Sequence, residues 1–367
     1  MRAVVSLQAG RVCPLHYRYP VDVFAAPATL GSRTLYVVGG VYGNVPSLHR
    51  VLEMKREEEQ RTGDRVNLLF NGDFNWFDSD ADGFVEINTT VLEHFALQGN
   101  VEAELDGAGD DSGCGCNYPE YIDAAVVDRS NAIMRILQAR AAAHPELRAR
   151  VAALPKFCSA DIGGRKIGIV HGDAQSLAGW GFAYEAMPAL LREAAAEGAA
   201  RRTPVETIAA VFREAKVSAF ASTHTGLPFA QDFDIEGRRR LIINNGAAGM
   251  PNFKGSTFGL LTRISAHPEV PPQSLYGTTL DGVRFDALPI RYDTAEWLAR
   301  FLANWPAGSP AHAGYLERIG HGPEFTVAQA NRLARDRPAR RADSPHLPQP
   351  LSCPPRGVDH APDRHRH

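Results

Sequence analysis

Four side chains in this sequence have the types needed to hold a metal ion, and each stands just after a short apolar run. Asp73 lies in "FNGDFNWFD", Asn100 in "LQGNVEAEL", His171 in "IGIVHGD" and His224 in "FASTHTGLP". A carboxylate past a buried strand, after a glycine that lets the backbone turn, is a hard oxygen ligand on a rigid element. The amide oxygen of Asn100 can face a metal or a phosphate, and a strand-end imidazole can ligate a divalent ion. Taken singly, each has a plainer reading: a turn or cap aspartate, a turn asparagine, a hydrogen-bonded structural histidine. The ordered set is more specific than any member.

Two other stretches compete for attention. "GCGC" brings Cys114 and Cys116 close enough to share a soft metal, with Cys13 or Cys158 as further ligands. The paired C-x-x-C spacing of structural zinc sites is absent, which favours a buried, glycine-flexed loop. "DSDADGFVEINT" has the early spacing of a calcium loop at Asp78, Asp80, Asp82 and Gly83, but position 12 is Thr89 instead of a bidentate glutamate. A solvated acidic rim is the reading that fits better.

Bulk properties narrow the class. A hydrophobic content of 44% with 22% charged residues is that of a globular enzyme, and a formal net charge of -3 argues against nucleic acid as a partner. No apolar run is long enough to span a bilayer, so no membrane association is expected. The opening "MRAVVSLQAG" is too soon broken for a secretory signal. Five irregularly spaced cysteines fit reduced thiols better than a disulfide framework, and a cytoplasmic protein is expected.

The elements that must position these residues alternate between strand and helix. "TLYVVGG" and "RVNLLFNGD" read as buried parallel strands, joined by a helix over "PSLHRVLEMKREEEQRTG" that begins near Pro46 and stops at Gly63. "TTVLEHFAL", "SNAIMRILQARAAA" and "MPALLREAAAEGAA" read as helices; "KIGIVHGD", "VSAFASTH" and "RRLIINNGAAG" read as strands. "SLYGTTLDGVRFDALPI" reads as a late meander. Polar residues therefore collect at the carboxyl ends of strands, where α/β sheets place their sites. Residues 1–33 form an N-terminal extension and 34–335 the main domain. Within it, 106–120 is an irregular insertion covering the site. Residues 336–367, rich in Pro, Arg and His, form a disordered tail.

The order Asp, Asn, His, His at successive strand ends resembles the calcineurin-like metallophosphoesterases. Their pattern runs D-x-H, G-D-x-x-D, G-N-H-D/E, a strand-end His, then G-H-x-H. The resemblance extends from about Thr34 to Tyr292, and "INNGAAGMPNF" is similar to the family's late I-N-P-G-S turn. It implies an α/β fold, the αββα sandwich of two mixed sheets flanked by helices. It also implies two metal sites sharing one aspartate. The positions of the first site read Gly40, Tyr42, Asp73 and Gly226 here, so the shared Asp73 alone survives. Those of the second read Asp73, Asn100, His171 and His224, and all are present. The family's proton-donating His is Val101, the acid after it is kept as Glu102, and the second Asp of G-D-x-x-D is Trp76, with Asp78 nearby as a substitute.

Losses confined to one site imply a single divalent ion (Mn, Fe or Zn) and a hydrolase acting on a small phosphorylated substrate. Tyr42 would occupy the vacated pocket, with its hydroxyl on the substrate or simply plugging the hole; Tyr42 and Asp78 are the catalytic candidates. Asn44 and Asn245 are the candidates for substrate binding. Two other classes stay open: a pseudo-phosphoesterase that binds a ligand or partner without turnover, and a soft-metal enzyme in which Cys114 and Cys116 join His171 or His224.

Overall fold

The computed structural model describes residues 8–107, 112–188 and 202–334. In chain order its first strands are β1 (Leu30–Ser32), β2 (Thr34–Val38), β3 (Val66–Asn71) and β4 (Phe95–Leu97). β5 (Phe157–Ile162), β6 (Arg165–Val170), β7 (Ala219–Ser222), β8 (Phe229–Ile235) and β9 (Arg238–Asn244) follow. β10 (Gly259–Ser265), β11 (Tyr276–Leu280), β12 (Val283–Ile290) and β13 (Asn331–Arg332) complete them. They form a seven-stranded sheet in the order β1-β5-β6-β7-β9-β8-β13 and a six-stranded sheet in the order β11-β12-β10-β2-β3-β4. Both are mixed: β2, β3 and β4 run parallel, as do β6, β7 and β9, with antiparallel strands beside them.

Side-chain alternation explains why these strands carry continuous apolar runs where they are buried. Leu35 and Val37 of β2 point into the core between the sheets, where they join Ile167 and Ile169 of β6 and Leu241 and Ile243 of β9. Tyr36 and Val38 point the other way, under α1 (Val45–Thr62). On the far side of the molecule Phe220 and Ile242 meet Ile208, Val211 and Phe212, which lie on a later helix, Val205–Ala215. A strand buried on both faces has no polar side to show, so its sequence is a continuous apolar run. The result is the two-sheet sandwich flanked by helices that the motifs imply.

The local signals at α1 hold. Asn44 caps it by accepting from the Ser47 amide, and Gly63 ends it at φ 72° with its N–H on Glu59. Other expectations need correction. α2 (Ala81–Val91) starts inside "DSDADGFVEINT", where the Asp80 carboxylate accepts from the Gly83 amide at 2.7 Å, so the segment is a helix start and not a solvated rim. "TTVLEHFAL" is helical only to Val91; Phe95–Leu97 is β4, drawn into the sheet by parallel pairing with β3. α3 (Asn100–Glu104), α4 (Ala124–Ala142), α5 (Pro145–Ala152) and α6 (Val205–Ala215) follow. α7 (Thr294–Asn304), α8 (Pro310–His321) and α9 (Val327–Ala330) are the last helices among the described residues.

The helix expected over "MPALLREAAAEGAA" falls from residue 189 onward outside the described residues, as does the tail expected after 335. The expected meander is the β11–β12 hairpin. Residues 8–33 are packed on the body: Tyr17 and Phe24 are buried, and β1 pairs with β5. Among the described residues no helix is long and apolar enough to cross a membrane.

Candidate metal centre

Five strands deliver their carboxyl ends to one edge of the sandwich. β3 leads to Asp73, β4 to Asn100, β6 to His171, β7 to His224 and β9 to Asn245. Gly72 makes the approach possible. It has φ +79°, and a Cβ there would lie 2.6 Å from His171 Nδ1. Asp73 (φ 56°), His224 (φ 29°) and Tyr42 (φ 55°) are themselves left-handed, a conformation that costs non-glycine residues energy and concentrates at functional sites.

The ligand atoms of Asp73, His171 and His224 all lie within 4.8 Å of one another. His171 Nε2 is the hub. It stands 3.3 Å from Asp73 Oδ2, 3.3 Å from Asn100 Oδ1 and 3.3 Å from His224 Nδ1. Each of these groups has its other polar atom tied down. His171 Nδ1 lies 2.7 Å from the Asn71 carbonyl and His224 Nε2 lies 3.1 Å from the Cys116 carbonyl, so each ring commits its outer nitrogen to main chain and turns the other to the cluster, where a metal ion can take the place of a proton. Asn100 Nδ2 donates to the Cys114 carbonyl at 2.9 Å, which aims its oxygen at the cluster. Asp73 Oδ1 accepts from the Val101 amide at 3.2 Å. Acceptor atoms converging with their outer partners fixed are the donor set of a mixed N/O divalent site, and the residues fit that ion.

The field agrees. Burial works against ionisation of Asp73, but His171, His224 and the Val101 amide hold it below its usual range. Burial first, then the charge on His171, pushes His224 down to about 4, so its ring is neutral and available as a ligand at neutral pH.

Glu102 plays a part that spacing alone does not show. Its carboxylate accepts from the amides of Gly99 (2.9 Å), Asp73 (2.6 Å), Phe74 (3.0 Å) and Asn75 (3.3 Å), clamping the turn that carries Asp73 to the start of α3. Burial, and then the charge of Asp73, push its pKa up to about 7 against the pull of those N–H groups.

The positions that the resemblance assigns to a first metal ion are packed with protein atoms. A Cβ on Gly40 would sit 2.9 Å from the Tyr42 hydroxyl and closer still to its ring carbons. Tyr42 thus stands in the room a carboxylate at position 40 would need. A Cβ on Gly226 would face Arg318 Nη1 and Nη2, both at 3.6 Å, and the Tyr42 hydroxyl at 3.8 Å. Arg318 arrives from α8, donates to the Gly226 carbonyl at 2.7 Å and is absent from the motif reading altogether.

A cavity of about 170 Å³ opens on the cluster. Tyr42, Asp73, Asn100, His224, Gly226 and Arg318 line it, and Trp76, Tyr118, Trp180 and Tyr315 form its aromatic wall. The remaining sequence candidates stand elsewhere. Asn44 is the α1 cap, with Nδ2 on the Gly249 carbonyl at 3.0 Å. Asn245 is fully buried with Nδ2 on Thr223 Oγ1 at 3.0 Å. Asp78 is buried behind the Tyr42–Asn44 turn, its Cβ 3.1 Å from where a Gly43 Cβ would be, and it does not reach the cavity.

The cysteine expectations are corrected here. Cys114 and Cys116 are joined in a disulfide, while Cys13 and Cys158 are free. Sulfurs bonded to one another are not thiolate ligands, and the His/Asp cluster contains no cysteine. The "GCGC" loop instead supplies main chain: the Cys116 carbonyl accepts from His224 and from Trp180 Nε1 (3.0 Å).

No family model matches the sequence, and no curated protein does. Solved structures do resemble it. A hypothetical protein from Pyrococcus horikoshii aligns over 79% of this chain and 99% of its own, with a TM-score of 0.50 and 16% identity. A metallophosphoesterase from Sphaerobacter thermophilus aligns over 80% of this chain and 100% of its own, with a TM-score of 0.45 and 16% identity. At such identity the likeness is one of fold. The chain has a sandwich of two mixed sheets flanked by helices, with an Asp/His/His cluster that could hold a metal ion at the carboxyl ends of its strands.

Proposed function

We propose that the protein hydrolyses a phosphoric ester of a small molecule with one divalent ion, held by Asp73, Asn100, His171 and His224. The observation that carries this reading is the convergence of acceptor atoms on His171 Nε2 while each ligand's outer atom is engaged by main chain. Bound there, a divalent ion such as Mn, Fe or Zn would polarise a phosphoryl oxygen and acidify water.

The chain's own groups account for the rest. Main-chain carbonyls at Asn71, Cys114 and Cys116 orient three ligands before any substrate arrives. Burial, and next the charge of Asp73, raise the Tyr42 pKa, so its hydroxyl keeps its proton and can donate a hydrogen bond into the cavity. Aromatic side chains on the cavity wall limit water around the ester.

The test joins metal content to turnover. Protein purified without added metal should carry close to one tightly bound divalent ion per chain. It should cleave p-nitrophenyl phosphate or its diester, and His171→Ala should lose both properties. Two full-occupancy ions, or none, would overturn the reading. One ion with phosphate binding but no turnover of any ester would favour the pseudo-phosphoesterase, which the loss of the first site also suggests.

A further inference from the structure

We infer that Arg318 and Tyr42 together form a fixed oxyanion-binding pair in the place of the missing first metal ion. The inference rests on the one-metal reading for where the phosphoryl group sits, and goes beyond it in naming what replaces the lost charge.

In a two-metal phosphoesterase, two cations clamp the transferring group. Here one of the two positions has lost its ligands at Gly40, Tyr42 and Gly226. Protein side chains have moved into that room: the Tyr42 ring over Gly40, and the Arg318 guanidinium with the Tyr42 hydroxyl in front of Gly226. A plug needs only apolar volume. This one presents N–H and O–H donors to a cavity that also holds the metal ligands.

The guanidinium is held for the purpose. Arg318 Nη2 donates to the Gly226 carbonyl at 2.7 Å and Nε lies 3.4 Å from the Pro251 carbonyl. These contacts fix the plane of a guanidinium that lines the cavity. Its charge is felt by the Tyr42 and Tyr315 phenols, and among the described residues it forms no ion pair with a carboxylate. A half-buried cation without a counter-ion, beside a protonated phenol, is complementary to a tetrahedral oxyanion. Arg matches such an anion with paired N–H groups and stays charged at every working pH. The ligand class is therefore a phosphoryl, or chemically similar, oxyanion with one oxygen on the metal side and another on Arg318 and Tyr42.

The experiment titrates inorganic phosphate into the metal-loaded protein by calorimetry, with metal content read separately by elemental analysis. Arg318→Met should weaken phosphate binding tenfold or more and Tyr42→Phe several-fold, each keeping the wild-type metal content and melting temperature. Arg318→Lys, which keeps the charge and loses the fork, should fall between. Phosphate affinity in Arg318→Met within twofold of wild type would overturn the proposal. So would loss of fold or metal in both Arg318 variants, since Arg318 would then be a structural brace. Absence of metal in the wild type would defeat the one-metal reading alone, because Arg318-dependent phosphate binding could still be measured.

Discussion

His171 Nε2 and His224 Nδ1 face each other at 3.3 Å, and each ring's opposite nitrogen is committed to a main-chain carbonyl. Two imidazole nitrogens this close need a proton or a metal cation between them. Asp73 Oδ2, 3.3 Å from the same His171 nitrogen, adds a negative charge to that demand. The arrangement is one that positive charge completes.

Metal should therefore stabilise the fold as well as serve the chemistry. An ion that binds the folded state alone adds about 2.7 kcal/mol at one hundred times its dissociation constant. Chelation should lower the melting temperature by several degrees, and re-addition should restore it. His224→Ala should abolish that response. A chelator-insensitive melting temperature, with metal loss confirmed, would contradict the linkage.

Glu102 should matter nearly as much as a ligand without touching the ion. Its carboxylate accepts the amides of Gly99, Asp73, Phe74 and Asn75, and the Asp73 turn is left-handed and depends on that support. Glu102→Gln turns an N–H pair toward those donors. The expected result is about 2–3 kcal/mol of lost stability and a 10–100-fold weaker metal affinity, the range for groups that orient ligands. Urea denaturation and a metal titration read the two separately. Unchanged metal affinity would mean that the turn holds itself.

Tyr42 and position 40 should be coupled, since one occupies the space of the other. Gly40→Asp alone forces a carboxylate into the phenol ring and should destabilise by about 1–3 kcal/mol as overpacking. Gly40→Asp combined with Tyr42→Ala relieves that clash, so the double variant should be more stable than the sum of the single changes by about 1 kcal/mol or more. Strict additivity in chemical denaturation would show that the ring moves aside freely.

The cluster residues are partly legible in the sequence because a strand buried on both faces is a short apolar run that ends at the sheet edge. His171 directly follows such a run, whereas Asn71 precedes Asp73, and Ser222 and Thr223 precede His224. The partners that aim them are not legible. Glu102 reaches back 29 residues to the Asp73 amide, and the carbonyls of Asn71, Cys114 and Cys116 have no side-chain signature. Arg318 lies 92 residues beyond the carbonyl it holds, on a helix where an arginine has no special look. Asp78 errs the other way: it is near Asp73 in sequence, but the turn before α2 carries it behind the site. The "GCGC" pair likewise contributes carbonyls to the site where its side chains suggested thiolates.

Asp78 offers a test with a definite sign. Its carboxyl is buried with neither oxygen hydrogen-bonded. Burial first, and the charge of Asp80 second, raise its pKa well above the usual range, with Arg300 and Arg140 pulling the other way. A group whose folded pKa is raised contributes its full stability below the unfolded value, near pH 4. As pH climbs from there toward the folded pKa, the unfolded chain ionises while the folded one does not, and stability falls. Asp78→Asn removes the ionisation but keeps the shape. The variant should match wild type below about pH 4 and become progressively more stable than it as pH rises through neutrality. Its metal content and turnover should be unaltered. Urea denaturation at several pH values measures the stability difference, and esterase assays the turnover. A parallel pH dependence for the two proteins would show that Asp78 ionises as readily folded as unfolded. Turnover lost with stability intact would return Asp78 to the catalytic role its place in the sequence suggests.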